Sequence, residues 1–222
     1  TANPWIDTQK EVLLRGVNAV LKFVKIDLVI SLEIDSDLFS ADLVRDHLRI
    51  YELAVFVCSP YAFRQMKRMG DEFDERLIAV DLGPGESSHL SVNGIELDCL
   101  YLTHGDASIL NIGVVITVGD YTFFHSGDMS IGSMMEDTVS LADLQGYGLH
   151  QKEIDLAILP VHMFSLDEGV TLIENGIQAR YVSPMHYPYE YPPTSVEENF
   201  SNAVVFKDTS SHPSLWSIRH ET

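Results

Sequence analysis

The segment "DLVISLEIDSDLF", residues 27–39, decides the fold of this chain. It begins as an apolar strand and continues with acidic residues at alternate positions, Glu33, Asp35 and Asp37. Side chains at alternate positions of an extended segment point to the same side, so these three carboxylates would lie close together. Like charges that crowd beside a buried strand repel one another unless a cation or shared protons neutralise them.

The composition indicates one globular domain over residues 1–222, with 45% hydrophobic and 21% charged residues. A formal net charge of -19 argues against nucleic acid or an anionic membrane as a partner, because both would repel the chain. No apolar run approaches the roughly 20 residues of a membrane span, so we expect a soluble protein. Cys58 and Cys99 lie in apolar runs and are predicted to be buried free thiols, which favours the cytoplasm.

Strand and helix patterns alternate along the chain. Apolar runs at 26–31 and 53–59 predict buried strands, and a helix is expected to begin after Ser40. Ser59-Pro60 is typical of another helix start. Two hairpin turns are predicted in the middle of the chain, at Asn93-Gly94 and Gly119-Asp120. The pattern favours an α/β architecture with mixed sheets under helices.

Polar residues follow three of the later strand patterns. His104 follows "YLT", Asp128 ends "HSGD", and His186 follows "SPM". Each alone is more often an ordinary loop residue, but with the three acids they form a set of imidazoles and carboxylates able to bind a metal. His125 and His162 lie in similar places; an ordinary loop role is the simpler interpretation, and substrate contact or ligand replacement is the alternative for His162.

The order of these motifs resembles the metallo-β-lactamase-fold hydrolases. Residues 27–44, "DLVISLEIDSDLFSADLV", align without a gap with the strand, metal loop and helix of that family, whose loop typically reads His-x-His-x-Asp-His. His104, the "SGD" of Asp128, the strand "EIDLAILPV" and the closing "SPMHYP" of His186 follow in the same order. The resemblance spans about residues 3–206 and implies a metallo-β-lactamase-like αββα sandwich with mixed sheets.

The resemblance also implies a ligand set that departs from the family. Glu33 and Asp35 stand where the family has its first two histidines, Asp37 matches the family aspartate, and Leu38 replaces the last histidine. Transferred residue by residue, the first metal site would consist of Glu33, Asp35, His104 and Asp128. The second would consist of Asp37, Asp128 and His186, and either Asp37 or Asp128 would orient water or move a proton.

Three functions remain open on these residues. The first is a metal-dependent hydrolase of a small-molecule substrate, with a carboxylate-rich site that favours Mn²⁺, Mg²⁺ or Ca²⁺ over Zn²⁺. The second is a non-catalytic member of the fold that has lost zinc and serves binding or assembly, in which case the site holds no metal. The third is a module that binds a metal ion without turnover.

The start of the chain is shorter than the resemblance leads us to expect. The family usually has several strands before its metal loop, whereas only 32 residues precede Glu33 and about half of them have a helical pattern. The N-terminal strands are therefore expected to be reduced or to lie outside this chain. A small first sheet would leave an exposed edge, which predicts a homo-oligomer.

Overall fold

A computed structural model describes residues 28–31, 39–106, 109–132, 137–187 and 194–205. Glu33, Asp35 and Asp37 lie outside the described residues, so their predicted clustering stays a prediction. Residues 1–27 also lie outside, so the expected shortening of the first sheet is not tested. No helix within the described ranges is long and apolar enough to cross a membrane.

The smaller sheet is parallel in its described part. Its strands lie in the order β1 (Leu28–Ser31), β2 (Val55–Cys58) and β3 (Leu77–Ala79), and helices α1 (Ala41–Ile50) and α2 (Pro60–Arg68) lie between them in sequence. Both predicted strands are confirmed, and β2 is slightly shorter than predicted. Ser59 caps α2 as predicted, since its side chain accepts a hydrogen bond from the Ala62 amide. Ser40 precedes α1 but makes no such bond.

The larger sheet has six strands and is mixed. In spatial and sequence order they are β4 (Ser87–Val92), β5 (Ile95–Tyr101), β6 (Ile112–Val118), β7 (Tyr121–His125), β8 (Leu156–Pro160) and β9 (Tyr181–Met185). The strands β4 to β7 pair antiparallel, and β7, β8 and β9 pair parallel. Both predicted hairpins are confirmed. Asn93 and Gly94 have φ of 53° and 80°, the left-handed pair that a tight two-residue hairpin requires.

The two sheets pack face to face. One buried cluster joins Val57 of β2 to Leu97 of β5 and Val114 of β6. Because neighbouring side chains on a strand point to opposite faces, Phe56 of β2 instead faces outward and packs with Leu48 of α1. The smaller sheet is thus covered by helices on one face and by the larger sheet on the other.

Helices cover the outer face of the larger sheet. They are α3 (Leu141–Gly146), α4 (Asp167–Leu172), which continues as a π-turn over Ile173–Ile177, and α5 (Thr194–Asn199). Phe124 of β7 and Leu159 of β8 pack in the same buried cluster as Leu144 of α3. The described layers therefore follow the predicted αββα order.

Both cysteines are buried and free, as predicted. Burial raises the pKa of Cys58 to about 12 and that of Cys99 to about 11, so both thiols stay protonated at neutral pH. A protonated buried thiol is a poor nucleophile and a poor metal ligand. Neither cysteine is therefore a candidate for the chemistry of this protein.

The packing between the sheets predicts the effect of a single core substitution. Leu97→Ala removes a fully buried side chain and should lower the free energy of unfolding by about 2–5 kcal/mol. Leu53→Ala is the matched control, because Leu53 is 60% exposed and its loss should cost less than about 0.5 kcal/mol. Urea unfolding of the two variants checks this, and equal losses would contradict the face-to-face packing.

Candidate metal centre

Four strands of the larger sheet end at the same edge. The strands β5 and β7 are both antiparallel to β6 and so run in the same direction, and β8 and β9 are parallel to β7. His104 follows β5, Asp128 follows β7 and His186 follows β9. The direction of these strands brings together three residues that are far apart in sequence.

Asp128 lies between two imidazoles. Nδ1 of His186 is 2.8 Å from one carboxylate oxygen of Asp128 and donates a hydrogen bond to it. Nε2 of His104 is 3.6 Å from the other oxygen. The three side chains are 21–34% exposed, so solvent and small molecules reach them. The structure thus brings these three predicted site residues together, and their role as metal ligands stays a prediction.

The imidazoles keep the Asp128 carboxyl ionised. Burial by itself would raise the pKa of Asp128, but the hydrogen bond from His186 and the positive charges of His186, His104 and His162 outweigh it. The net result is a pKa below the ordinary value for aspartate. A carboxylate held ionised at the end of a strand is ready to accept either a proton or a cation.

The backbone at His186 is unusual. Its φ is +59°, in the left-handed region that costs a non-glycine residue about 1–2 kcal/mol. This conformation turns the chain at the residue that contacts Asp128. Strained backbone of this kind often marks functional sites, because the surrounding structure has to hold it in place.

Asn111 shapes the turn that carries Asp128, and sequence reasoning missed it. Its side chain is fully buried directly before β6. Its amide nitrogen donates to the Ser126 carbonyl at 3.1 Å, and its oxygen accepts from the Asp128 amide at 2.9 Å. The available signal was an asparagine inside the apolar run "LNIGVV" at 110–115, because a buried amide must find hydrogen-bond partners.

His125 is held as a neutral ring. Its Nδ1 accepts a hydrogen bond from the Gly127 amide at 3.0 Å, which requires that nitrogen to be unprotonated. Burial and, to a lesser extent, the charge of His186 lower the pKa of His125 to about 4, although the charge of Asp128 acts in the opposite direction. The ordinary loop role considered for His125 is therefore incomplete, because its ring supports the backbone of the Asp128 turn.

His162 lies close enough to feel the charge of Asp128. It follows β8 in the short turn Val161–Phe164. Burial lowers its pKa, while the charge of Asp128 and a hydrogen bond to the Met129 backbone act in the opposite direction. That bond raises the pKa because the protonated ring donates to the Met129 carbonyl. The histidine considered for substrate contact thus lies beside the candidate site.

A metal ion needs donor atoms of suitable type and spacing. A tetrahedral site with bonds of about 2.1 Å separates its donors by about 3.4 Å, close to the 3.6 Å between His104 and Asp128. Nε2 is the His104 nitrogen that faces Asp128, so it is the ring atom placed to bind an ion held there, while Nδ1 is buried on the other side of the ring. Yet among the described residues no group of three or more histidines, cysteines or acids could hold an ion. The donor pair fits a metal but requires further ligands.

Comparison with known proteins gives structural matches only. No protein-family model and no curated protein sequence matches this chain. The metallo-β-lactamase fold protein YhfI from Bacillus subtilis is 13% identical, with a TM-score of 0.53 over 83% of this chain and 76% of that protein. A mutant of the β-hydroxylase CmlA is 14% identical, with a TM-score of 0.51 over 71% of this chain.

A weaker match is a protein of the metallo-β-lactamase superfamily from Thermotoga maritima, 21% identical over 62% of this chain with a TM-score of 0.38. This chain spans 60% of the length of that protein and 36% of the length of CmlA.

The Asp128 turn predicts a difference between two glycines with the same backbone conformation. Gly127 and Gly119 both have φ of 59°, so alanine should cost about 1–2 kcal/mol at either position. A Cβ at Gly127 would also overlap Oδ1 of Asn111, whereas nothing lies near Gly119. Gly127→Ala should therefore cost about 1–3 kcal/mol more than Gly119→Ala in urea unfolding. Equal costs would show that Asn111 does not hold the turn.

The neutral state of His125 predicts how stability depends on pH. The folded pKa of about 4 lies below the unfolded value near 6.5, so the unfolded chain binds more protons between these values. Stability should be complete above pH 6.5 and fall as the pH drops toward 4, by about 2–3 kcal/mol from this residue alone. The variant His125→Asn can still accept the Gly127 hydrogen bond but has no ring to protonate. Its free energy of unfolding should therefore fall about 2–3 kcal/mol less than that of wild type between pH 7.5 and 4.5. Equal losses of unfolding free energy in the two proteins would contradict a neutral, buried His125.

Proposed function

This chain has the metallo-β-lactamase fold, and we propose that it is a diverged, metal-dependent hydrolase with a carboxylate-rich metal site. The fold itself confirms the sequence prediction, since the likeness to YhfI spans most of both chains. At 13% identity that likeness extends to the fold and no further. The proposal for function therefore rests on the site residues.

The convergence of His104, Asp128 and His186 carries the proposal. A protein that had lost all use for this site would not need two imidazoles and an ionised carboxylate at the ends of three different strands. We propose that Asp128 and the two histidines hold a divalent cation together with Glu33, Asp35 and Asp37. The described donors fit in type, and the carboxylates would supply the ligands that the described residues lack.

The ligand chemistry favours a hard ion. Two imidazole positions of the family loop are filled by Glu33 and Asp35, so oxygen donors outnumber nitrogen donors in the proposed set. Oxygen-rich sites suit Mn²⁺, Mg²⁺ and Ca²⁺, whereas imidazole-rich sites suit Zn²⁺. We therefore propose that Mn²⁺, Mg²⁺ or Ca²⁺ is the working ion in preference to Zn²⁺.

In the proposed hydrolysis, the cation and the side chains of the site would have separate roles. A bound divalent cation supplies water of lowered pKa and polarises the substrate oxygen under attack. Asp128 or Asp37 would orient the attacking water and accept its proton, because both are carboxylates of the proposed site. His162 lies close enough to Asp128 to feel its charge, so we propose that it contacts the substrate. The substrate would be a small molecule with a hydrolysable ester, amide or phosphoester bond.

A non-catalytic member of the fold is the second candidate. Three of the four hallmark loop positions carry other residues, and Leu38 cannot bind a metal. No group of three ligands is assembled within the described part of the chain. Catalytic metal sites usually have three protein ligands and an open position, so a site that cannot bring its ligands together has no activity. Such a protein would keep its fold for binding or assembly.

Metal binding is expected to depend on Asp128 and not on a comparable aspartate elsewhere. Asp98 is the matched control, because it is 33% exposed against 32% for Asp128 and contacts Lys152 and His89 at 2.7 Å each. Wild type and Asp98→Asn should show a rise in thermal midpoint of several degrees with 1 mM Mn²⁺, because binding should stabilise the folded state by about 2–3 kcal/mol. Asp128→Asn should show a rise of less than about one degree, because it loses a charged ligand.

A screen of lactones, β-lactams, phosphodiesters and thioesters in Mn²⁺ then separates the candidates. Turnover that disappears in Asp128→Asn but persists in Asp98→Asn would support the hydrolase. Metal binding without turnover of any class would favour a metal-binding module. An absence of any shift with Mn²⁺, Mg²⁺, Ca²⁺ and Zn²⁺ would overturn the hydrolase and leave the non-catalytic protein.

A further inference from the structure

We propose that Asn111 is a positioning residue that fixes the backbone of the Asp128 turn and so sets the direction of the Asp128 carboxylate. Asn111 lies before β6, between the two strands whose ends carry His104 and Asp128. The effect on metal binding rests on the proposed function, whereas the effect on the turn does not.

The Asn111 side chain makes hydrogen bonds to the backbone on both sides of Gly127. The amide nitrogen of Asn111 donates to the carbonyl of Ser126, and its oxygen accepts from the amide of Asp128. The Asn111 side chain therefore satisfies one backbone carbonyl and one backbone amide that would otherwise need hydrogen bonds from a neighbouring strand. The fixed backbone leaves the Asp128 side chain little freedom except its own two torsions.

The close fit at Gly127 excludes other turn conformations. The glycine has a left-handed φ of 59°, and its Cα faces Oδ1 of Asn111 so closely that a Cβ would overlap the oxygen. The His125 ring accepts a further hydrogen bond from the Gly127 amide. The side chains of Asn111 and His125 thus hold the turn, and Asn111 alone of these two bonds directly to the backbone of Asp128.

Asn111 also joins this turn to the His104 segment. Its backbone carbonyl accepts a hydrogen bond from the Leu102 amide at 3.2 Å, two residues before His104. A second bond, from the Ser130 amide to the Thr103 carbonyl at 2.9 Å, connects the same two segments. The 3.6 Å separation of His104 and Asp128 therefore depends on a backbone frame that has Asn111 at its centre.

The chain offers a matched control at the other end of β7. Asp155 accepts a hydrogen bond from the Thr122 amide at 2.9 Å, so it also holds backbone through a buried polar side chain. Asp155 directly precedes β8 and bonds near the start of β7, whereas Asn111 bonds to the turn that follows the end of β7. A purely structural role would make the two residues equivalent in their effects.

Amide hydrogen exchange at single residues tests the positioning role without any metal. In Asn111→Leu, the exchange rate of the Asp128 amide should rise at least about 10-fold above that of wild type, after correction for any change in global stability. The reason is that the variant removes the acceptor of this amide. Asp155→Ala should accelerate the Thr122 amide instead and leave Asp128 unchanged. Asn111→Asp keeps an acceptor but loses the donor to Ser126, so it should show a smaller increase and serves if the leucine variant does not fold.

Manganese titration of the same proteins supplies the functional readout. Asn111→Leu should raise the half-saturating Mn²⁺ concentration by about 10- to 100-fold, the usual cost of losing a group that holds a metal ligand in place. Asp155→Ala should change it by less than about threefold, even if both variants lose thermal stability.

The two measurements test the proposed function and the positioning role of Asn111 separately. If wild type binds no Mn²⁺, the proposed function is wrong, and the exchange result still decides whether Asn111 holds the turn. If the Asp128 amide exchanges no faster in either Asn111 variant than in Asp155→Ala, the positioning role is overturned. If wild type does bind Mn²⁺, equal Mn²⁺ affinities in Asn111→Leu and Asp155→Ala would also overturn the positioning role.

Discussion

The shared direction of β5, β7, β8 and β9 determines where the candidate site forms. A strand that runs the opposite way would send its following loop to the far edge of the sheet, and β6 is the one strand among these five that does so. It nevertheless contributes, because Asn111 precedes it and thus lies at the same edge as the ends of the others. The polar residues of the site are therefore held by a sheet whose own stability comes from apolar packing on both faces.

Electrostatics gives this edge of the sheet its chemistry. The protein carries a formal charge of -19, yet the described part of the site surrounds one carboxylate with histidines. The histidine charges keep Asp128 ionised and burial keeps His125 neutral, so both groups are without their proton at neutral pH. Additional carboxylates from Glu33, Asp35 and Asp37 would make the edge strongly negative, and a divalent cation is the simplest way to balance that charge.

The sequence was most informative where a local pattern has one physical solution. Asn93-Gly94 predicts a tight hairpin because both residues tolerate a left-handed backbone, and the structure has that hairpin. The sequence placed His104, Asp128 and His186 directly after strand patterns, but the shared direction of those strands, which brings the three residues together, is visible only in the structure. A one-dimensional pattern contains no such information for Asn111, whose role depends on two hydrogen bonds across 15 and 17 residues. The same limit applies to His125, because its tautomer is set by the fold of the turn.

An anomalous difference map from a crystal soaked in Mn²⁺ would show where an ion binds. We expect a peak within bonding distance of a carboxylate oxygen of Asp128, with His104 or His186 and at least one of Glu33, Asp35 and Asp37 as further ligands. A crystal at saturating Mn²⁺ with no peak beside Asp128, or with a peak bound only by surface acids elsewhere, would contradict the proposed metal site.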